Sequence, residues 1–345
     1  MTHLRVLERD EKIDLPASLL AADGFAGLDA WMFFTQKVYG FPVHRIVSES
    51  EAGIDGWLAL VHVRHPIFGN YLATSPFGSY GGFGYASTSV RDALLEKARG
   101  LAKALGVGYV NVRFEAGEES PPDGWIQNPN YSTFFVDLSS NTEELLRSFG
   151  SDHRNHVRKS LKKGFAIRFG RLELLDDTYE TLARSMRELG SPYHSRDYLR
   201  AMAEALGGAL EFAVMYSARG EPAGAGAFIL HGDVATNLHA NILRKFRPDY
   251  AGEFLYWSVI ERYGAKGFRT FDLGRSLNGS GNEVFKLKWK PRRQTLAYWY
   301  HLPKGGPLPE LNQKSPKFQL AIRVWRLLPL FVVRALGPAL IRGIV

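Results

Sequence analysis

The sequence predicts an α/β (α+β) protein made of two similar units in tandem. A chain of 345 residues with 45% hydrophobic and 13% aromatic content can bury a large core and is about twice the usual length of one domain. The same order of elements is predicted twice, as two strands, an amphipathic helix and a closing strand. We therefore expect two mixed sheets flanked by helices, followed by a basic amphipathic tail.

The first repeat is predicted before residue 114. Strand patterns at 56–63 and 70–75 precede an amphipathic helix over 88–105, which ends at Gly106. A closing strand is predicted at 108–113. These elements form the first α/β unit.

The second repeat has the same order further along the chain. Strands at 223–230 and 234–241 are joined by a Gly232-Asp233 hairpin turn, and a helix at 252–263 leads to a closing strand at 268–273. Identity between the repeats is slight, so a chance similarity of two α/β patterns is the alternative.

The boundary between the units is predicted at 137–142. This gives a first domain over residues 1–138, a second over 139–310 and a tail over 311–345.

Positive charge is concentrated at the end of the chain. Residues 284–345 contain 12 Lys or Arg and one acid, Glu310, whereas residues 1–283 contain 31 bases and 34 acids. Such asymmetry favours an anionic partner for this region, either phosphates, nucleic acid or an acidic membrane surface. A solvated basic tail is the alternative.

Composition excludes several classes of site. The chain has no cysteine, so a disulfide framework, a thiolate metal site and a cysteine nucleophile are excluded. Residues 1–10 are charged throughout and lack the apolar core of a signal peptide, and no apolar run has the length of a membrane span. We expect a cytoplasmic protein, peripheral on the inner face of the cytoplasmic membrane if its tail binds lipid.

The segment 272–289 combines a strand end, a glycine-containing loop and cations. Such a sequence places backbone amides and positive charge beside an anionic ligand. Asp272, at the strand end, can orient an amine or accept its proton, or it can bond Arg275 or the amides of its own turn. Arg275 offers a planar fork for phosphate or carboxylate, and Ser276 and Ser280 offer hydroxyl donors.

A basic helix is predicted after the domain boundary, over residues 151–164. Arg154, Arg158 and Lys162 recur at i, i+4 and i+8 on one face of it. Like charges at this spacing repel, so an anion bound by Arg154 and Arg158 is one interpretation and a solvated helix face is the other.

Three segments resemble a known family in their order and spacing. They are a glycine-rich loop at 75–82, the basic helix at 154–164, and residues 272–276 followed by Phe285-Lys286. Together they resemble the FemAB-type transferases, which are tandem GNAT-fold enzymes.

Two further segments resemble one branch of this family. The Leu-Gly-Ser-Pro-Tyr-His element at 189–194 and the tail at 325–338 are similar to segments of FemAB-like proteins of Gram-negative exopolysaccharide and exosortase loci. The resemblance covers most of residues 50–345.

The resemblance implies N-acyl transfer, in which an amine attacks an activated carbonyl. The transition state is a tetrahedral oxyanion, so fixed hydrogen-bond donors are worth more than a strong base. In the family pattern the lysine of the Phe-Lys pair stabilises the developing charge, which gives this role to Lys286. Pairing of Lys286 with a nearby carboxylate is the alternative. Lys288 and Trp289 are expected on alternate faces of the same strand, at the substrate.

Other candidate substrate contacts lie outside this segment. Tyr80 and the amides of Gly81 and Gly82 form a loop suited to a sugar or phosphate, or a surface turn. His194 lies in a break between helices and is expected to contact ligand rather than metal. No metal site is predicted.

The donor is expected to be a co-substrate, with no tightly bound cofactor. Residues 247–253 do not fit the pyrophosphate loop of ordinary GNAT enzymes, which weakens use of acetyl-CoA. Aminoacyl-tRNA is therefore the leading donor, followed by acyl-CoA or acyl carrier protein. The expected acceptor is an amino group of a glycan, nucleotide-sugar or lipid-linked precursor of the cell envelope or of exopolysaccharide.

The tail from Lys317 predicts two short amphipathic helices, broken by Pro329 and Pro338, with arginines beside apolar bulk. This profile indicates an interfacial helix on an anionic membrane, or a helix packed on the protein's own core. A non-catalytic double-GNAT protein that binds anionic polysaccharide or nucleic acid is the competing function.

Overall fold

The computed structural model describes residues 3–8, 11, 13–16, 18–19, 24–115, 119–309 and 316–344. Within these residues the chain forms two compact units, each assembled from separate stretches of sequence. We call them unit 1 (Met1–Ser132, Gln294–Glu310 and Arg342–Val345) and unit 2 (Thr133–Arg293 and Leu311–Ile341).

Unit 1 contains one mixed sheet and two described α-helices. The helices are α1 (Asp29–Tyr39) and α2 (Thr88–Leu105). Its strands are β1 (His3–Val6), β2 (Val43–Ser50), β3 (Gly53–His65), β4 (Gly69–Ala73), β5 (Phe83–Tyr85), β6 (Tyr109–Phe114), β7 (Ile126–Asn128) and β16 (Ala297–His301). Their order is β1-β2-β3-β4-β6-β16-β7, and β5 also pairs with β3. The β4–β6 pair is parallel.

Unit 2 contains the second mixed sheet. Its strands are β8 (Tyr131–Asp137), β9 (Ala166–Gly170), β10 (Leu210–Tyr216), β11 (Pro222–His231), β12 (Val234–Ile242), β13 (Thr270–Asp272), β14 (Ser276–Leu277) and β15 (Arg292–Thr295). The order is β14-β8-β13-β12-β11-β10-β9, and β15 also pairs with β8. The β12–β13 pair is parallel.

The described helices of unit 2 lie between these strands and at the end of the chain. They are α3 (Thr142–Ser148), α4 (Ser151–Leu161), α5 (Leu175–Leu189), α6 (Arg196–Leu206), α7 (Ala251–Ala265), α8 (Gly281–Leu287), α9 (Pro316–Leu327) and α10 (Leu330–Ile341).

The predicted repeat is confirmed in the strand pairing. In unit 1 the antiparallel hairpin β3–β4 leads through α2 to β6, which is parallel to β4. In unit 2 the hairpin β11–β12 leads through α7 to β13, which is parallel to β12. A parallel pair needs such a crossover connection, so each helix covers one face of its own sheet. The two-sheet α/β fold class is therefore correct.

The ends of the two repeats are not contiguous in sequence. Strand β16, which falls in the range 139–310 expected for the second domain, pairs with β6 in the sheet of unit 1. Strand β8 begins before the expected boundary and pairs with β13 in unit 2. Each closing strand thus gains an antiparallel neighbour from a distant part of the chain, a long-range pairing that local sequence patterns do not report.

Each unit has its own hydrophobic core. In unit 1 the core lies between α2 and the sheet and includes Leu94, Val112 and Trp299. In unit 2 it lies around α7 and includes Trp257 and Trp289. These side chains are completely or almost completely buried, so each sheet is held to its crossover helix by apolar burial.

The segment after Ser280 corrects one prediction. Residues 285–289 were expected to form a basic strand, but Gly281–Leu287 is helix α8, capped by the Ser280 hydroxyl at the amide of Glu283. The buried positions of this helix are the charged Glu283 and Lys286, three residues apart. Because charged residues occupy the buried positions of this helix, the hydrophobic residues show no helical period, and the sequence does not reveal the helix.

The tail forms the two expected helices and packs on unit 2. Trp325 Nε1 donates to the carbonyl of Ser191 (3.0 Å), and Arg187 Nε donates to the carbonyl of Leu328 (2.6 Å). Pro338 does not break the second helix, since it lies within α10. Among the described helices, none combines the length and the hydrophobicity needed to cross a bilayer.

Candidate active site

Asp272 lies at the carboxyl end of β13 in unit 2 and has no exposed surface. Its Oδ1 accepts hydrogen bonds from Thr133 Oγ1 (2.6 Å) and from the amide of Gly274 (2.8 Å). The second bond is the turn contact that the structural interpretation of this residue predicts. Gly274 has φ 77°, and a Cβ there would meet the carbonyl oxygen of Asn237 at 2.9 Å, so this turn requires glycine.

Lys286 reaches the same turn from helix α8. Its Nζ donates to the carbonyl oxygens of Gly274 (2.7 Å) and Arg275 (2.8 Å), and it lies 5.7 Å from the ring centroid of Phe134. A lysine ammonium has three N–H donors. In the described part of the chain the third has no hydrogen-bond partner.

The environment of Lys286 lowers its pKa from 10.5 to about 8. Burial is the main cause because it disfavours the charged form, while the Asp272 carboxylate opposes the shift and Arg275 adds to it. At neutral pH the ammonium is still charged. A desolvated cation at this position is a strong electrostatic donor, because little solvent screens its charge.

Sequence patterns missed Asn237 and Tyr256, two neighbours of this turn. Strand β12 runs on to Ile242, whereas β13 ends at Asp272. Where the strands separate, Asn237 Nδ2 donates to the carbonyl of Leu273 (3.2 Å) and to the Tyr256 hydroxyl (3.0 Å). Burial raises the pKa of Tyr256 to about 12, so it stays protonated. Asparagine inside a predicted strand was the available signal, since strands are depleted in it.

The three polar residues after Gly274 have different environments. Arg275 is exposed at the surface of the turn. Ser276 is buried in β14, and its hydroxyl has no hydrogen-bond partner among the described residues. Ser280 uses its hydroxyl to cap α8. A ligand hydroxyl role therefore fits Ser276 better than Ser280.

Lys288 and Trp289 do not lie on a strand, because both are in the turn that follows α8. Trp289 is completely buried in the unit 2 core and has its ring 4.3 Å from that of His153. Lys288 is exposed, with Nζ 3.9 Å from a carboxylate oxygen of Glu253. Trp289 is therefore a core residue, and Lys288 is accessible to a ligand.

His194 is buried between α5 and α6, away from solvent. Its ring stacks on Tyr198 at 3.7 Å and lies 5.6 Å from the ring of His239. Burial holds the pKa of His194 well below its usual range, and it lowers that of His239 to about 4. Both imidazoles are therefore neutral at pH 7 and resist protonation.

The predicted cationic stripe on α4 is divided between two environments. Arg154 Nη1 donates to the carbonyl of Arg147 (2.8 Å), in the last turn of α3, and to that of Phe149 (3.1 Å), its C-cap residue. Arg158 and Lys162 are exposed. Arg154 thus caps the preceding helix, and the two exposed cations are left for an anion.

Tyr80, Gly81 and Gly82 lie in unit 1, in a loop over the end of β6. The Gly81 amide donates to the carbonyl of Arg113 (3.0 Å), and the Gly81 carbonyl accepts from Ser75 Oγ (2.6 Å). The Gly81 peptide is therefore used by the loop itself. Tyr80 is half-buried and packs against Gly24.

Residues 151–287 match the family model described as an acetyltransferase (GNAT) domain. This range includes Asp272 and Lys286 and lies within unit 2. The fold of nearly the whole chain is similar to the crystal structure of FemX, with a TM-score of 0.65 at 16% identity, covering 90% of this chain and 100% of that one. The chain has the FemAB-like tandem GNAT fold.

Two other solved structures share this tandem GNAT fold. A tandem GNAT protein from the clavulanic acid biosynthesis pathway has a TM-score of 0.56 at 13% identity, covering 84% of this chain and 93% of that one. The C-terminal domain of a putative lysylphosphatidylglycerol synthetase from Agrobacterium fabrum has a TM-score of 0.52 at 14% identity, covering 79% and 87%. A search of curated protein sequences gives no significant match. Residues 151–287 are thus similar to a GNAT domain, within a chain that has the tandem GNAT fold.

Proposed function

We propose that this tandem GNAT protein is an N-acyltransferase that moves an aminoacyl or acyl group to an amine of a cell-envelope or exopolysaccharide precursor. The observation that carries the proposal is the buried ammonium of Lys286, held by the carbonyls of Gly274 and Arg275 at the point where β12 and β13 separate. A fixed, desolvated cation is what a developing oxyanion needs.

The reaction forms a C–N bond and breaks the ester or thioester bond of the donor. The acceptor nitrogen attacks the carbonyl carbon, the carbonyl oxygen becomes an oxyanion stabilised by Lys286, and the donor's oxygen or sulfur leaves with the bonding electrons. The amine loses its proton to water or to the leaving group. Asp272 holds the turn that places Lys286, through its bond to the Gly274 amide.

Aminoacyl-tRNA is the donor we favour, with acyl-CoA or acyl carrier protein as the second choice. The cations Arg158 and Lys162 on α4 and Lys288 after α8 are exposed and suit a polyanionic donor. FemX and the putative lysylphosphatidylglycerol synthetase are among the structures with this fold. Arg275 is the proposed contact to the donor or acceptor phosphate.

The tail is proposed to lie against an anionic membrane surface, which suits a lipid-linked acceptor. One face of α9 packs on unit 2 through Trp325, while Leu320 and Leu327 on the opposite face are 62% and 81% exposed. Phe331 at the start of α10 is 73% exposed. Arg323 is exposed between Leu320 and Leu327 on α9, and apolar burial together with arginine charge favours an anionic lipid surface.

Mass spectrometry of reaction mixtures tests the activity. The purified chain is incubated with charged total tRNA, acyl-CoA or acyl carrier protein pools and a mixture of amino-sugar nucleotides. We expect the wild type to add mass to an amine acceptor and Lys286→Met to add at most about a hundredth as much in the same time. Lys163→Met, which removes an exposed ion pair with Asp249, should behave as wild type. The added mass identifies the donor.

The competing proposal is a non-catalytic protein that binds an anionic polymer through its exposed cations. An enzyme loses turnover in Lys286→Met while it keeps donor affinity. A binding protein gives no mass gain with any donor, and its polyanion affinity falls with each exposed cation removed, as in Arg158→Ala. That pair of results would replace the acyltransferase proposal.

A further inference from the structure

Two histidines of α4 and one glutamate of α7 lie together in unit 2. His153 and His156 are three residues apart, so both imidazoles lie on the same face of α4. Glu253, in the first turn of α7, faces them. If one ligand atom is taken from each residue, the three atoms lie within 4.8 Å of one another. Among the described residues, this is the one group of three possible metal ligands.

The histidines of this cluster lack the hydrogen bonds that buried imidazoles usually make. His153 is only 5% exposed, and neither of its ring nitrogens has a hydrogen-bond partner. The buried Nδ1 of His156 also has none, and it lies 3.9 Å from a carboxylate oxygen of Glu253, beyond hydrogen-bond distance. Leaving such groups unpaired costs free energy, so three unpaired nitrogens in one place call for a ligand.

We propose that His153, His156 and Glu253 bind a divalent transition-metal ion of the zinc class, which joins α4 to α7. Two imidazoles and one carboxylate are a recurrent ligand set for such ions, and three protein ligands leave the fourth position to water. The fourth ligand enters beside His156, the most exposed of the three.

Small side-chain rotations bring the ligands to coordination distance. Tetrahedral zinc with bonds of about 2.1 Å needs ligand atoms about 3.4 Å apart, which is about 1.4 Å closer than the 4.8 Å within which these atoms lie. His153 is held in place by Trp289 at 4.3 Å and Phe149 at 5.9 Å. His156 stacks on Tyr250 at 4.6 Å. The rings are thus oriented by packing, and Glu253 makes most of the adjustment.

Lys288 opposes metal binding and provides a directional test. Its ammonium lies 3.9 Å from the same Glu253 oxygen, so a metal ion has to displace it. Like charges repel, and removing this cation favours the ion. We therefore expect Lys288→Met to bind metal more tightly than the wild type, by about tenfold. Plain charge attraction responds in the same direction, so coordination itself is decided by the Co²⁺ spectrum and the ligand variants.

The experiment measures metal binding to the full chain without any acyl donor or acceptor. The protein is treated with EDTA, transferred to metal-free buffer and titrated with Co²⁺ by visible absorption and with Zn²⁺ by calorimetry. We expect one equivalent to bind with the spectrum of a tetrahedral Co²⁺ site. His153→Phe and Glu253→Gln should each weaken binding by at least about 100-fold, since outer-shell partners alone are worth 10–100-fold.

A matched control separates this cluster from an ordinary unpaired histidine. His44 of unit 1 also has a buried ring nitrogen without a partner but belongs to no described group of three possible ligands. His44→Phe should bind Zn²⁺ as the wild type does, and added Zn²⁺ should raise the Tm of both but not that of His153→Phe. If His153→Phe does not fold, Glu253→Gln and His156→Asn decide. Metal binding that is absent, or unchanged in these variants, overturns the proposal. Acyl transfer without bound metal leaves the proposed function intact.

Discussion

The two crossover repeats have the same strand pairing, but their closing strands carry different residues at the equivalent position. Asp272 occupies the third parallel pair of β13 with β12, and Asn111 occupies the third parallel pair of β6 with β4. Both side chains are buried. Asn111 is neutral, accepts from Arg113 Nε (2.5 Å) and donates to the carbonyl of Trp299 (3.3 Å). Asp272 is an acid beside a buried lysine.

Different groups meet the end of the closing strand in the two repeats. In unit 1 the loop at 75–82 covers the end of β6, with the Gly81 amide bonded to the Arg113 carbonyl. In unit 2 the turn at Gly274 leads instead to Lys286. The GNAT family match falls in unit 2 alone. The same strand pairing thus ends at a buried neutral amide in unit 1 and at a buried acid beside a buried lysine in unit 2.

The largest expected effect compares Lys286 of unit 2 with Arg113, a buried cation of unit 1. Lys286→Met should lower kcat by about 10²–10³, the usual cost of removing one oxyanion donor, with little change in donor affinity. Arg113→Met in unit 1 should leave kcat within about threefold of the wild type, provided that the variant folds. Single-turnover rates with the substrates found by mass spectrometry make the comparison. Equal losses in both variants would show that unit 1 also acts in the chemistry.

The pKa of Lys286 predicts a second effect, on stability. Because burial lowers this pKa from 10.5 to about 8, the unfolded chain binds more protons than the folded chain between these values. The contribution of Lys286 to the free energy of unfolding should therefore rise with pH across this window, by about 3 kcal/mol in total. Urea unfolding of the wild type and Lys286→Met at pH 7 to 10 measures the difference. A constant difference between the two proteins would contradict the lowered pKa.

Exchanging the acid and the amide between the repeats should cost less. Asp272→Asn keeps an oxygen for Thr133 and Gly274 but removes the carboxylate that raises the Lys286 pKa, so the pKa should fall below 8 and the alkaline loss of activity should begin at lower pH. Asn111→Asp should lose about 1–3 kcal/mol of stability, because its carboxylate faces the Trp299 carbonyl, with no change in the pH profile. If the pH profile of activity shifts in both variants, the acid of unit 2 and the amide of unit 1 do not differ in their effect on the reaction.

The tail offers a comparison between exposed apolar residues of the two units. Leu327→Glu in unit 2 should weaken binding to vesicles of anionic lipid by about tenfold, because one fully buried leucine is worth about 1.5–3 kcal/mol. Ile67→Glu, at a 67% exposed position of unit 1, should have no effect. Sedimentation with anionic and zwitterionic vesicles at two salt concentrations measures both. Equal binding of all three proteins would leave the tail with only its packing role.

The smallest effect concerns the basic helix α4. Arg154→Ala should lower stability by about 1 kcal/mol, since it removes two hydrogen bonds to the end of α3, and should leave polyanion affinity nearly unchanged. Arg158→Ala should leave stability nearly unchanged and should weaken polyanion binding. Thermal unfolding and salt-dependent tRNA binding are the two measurements. A tRNA affinity that falls equally in both variants would show that Arg154 also binds the anion, as the predicted cationic stripe requires.

The crossover repeats could be predicted from sequence because their signals are local. The helix at 88–105 has a Ser87 cap and a left-handed Gly106 at its end, and the hairpin turn at Gly232 is a two-residue loop. The strand partners β8 and β16 were not predictable, since antiparallel neighbours more than 100 residues apart leave no local pattern.

The candidate site was predicted in its residues but not in its geometry. Asp272 and Lys286 are brought together, yet Lys286 comes from a helix whose buried face is charged. The His153, His156 and Glu253 group was missed for a different reason. The histidine pair is visible on α4, but Glu253 lies about 100 residues further along the chain and only the packing of α7 brings it near.

The position of β16 has a consequence for the order in which the protein can be synthesised and folded. When residue 132 leaves the ribosome, β6 has no antiparallel neighbour, and β7 has no partner until residues 297–301 appear. At about 5–20 residues per second this leaves an open strand edge for roughly ten seconds or more. A nascent chain with such an edge is open to pairing with other chains, so the sheet of unit 1 is completed only after residues 297–301 have been translated.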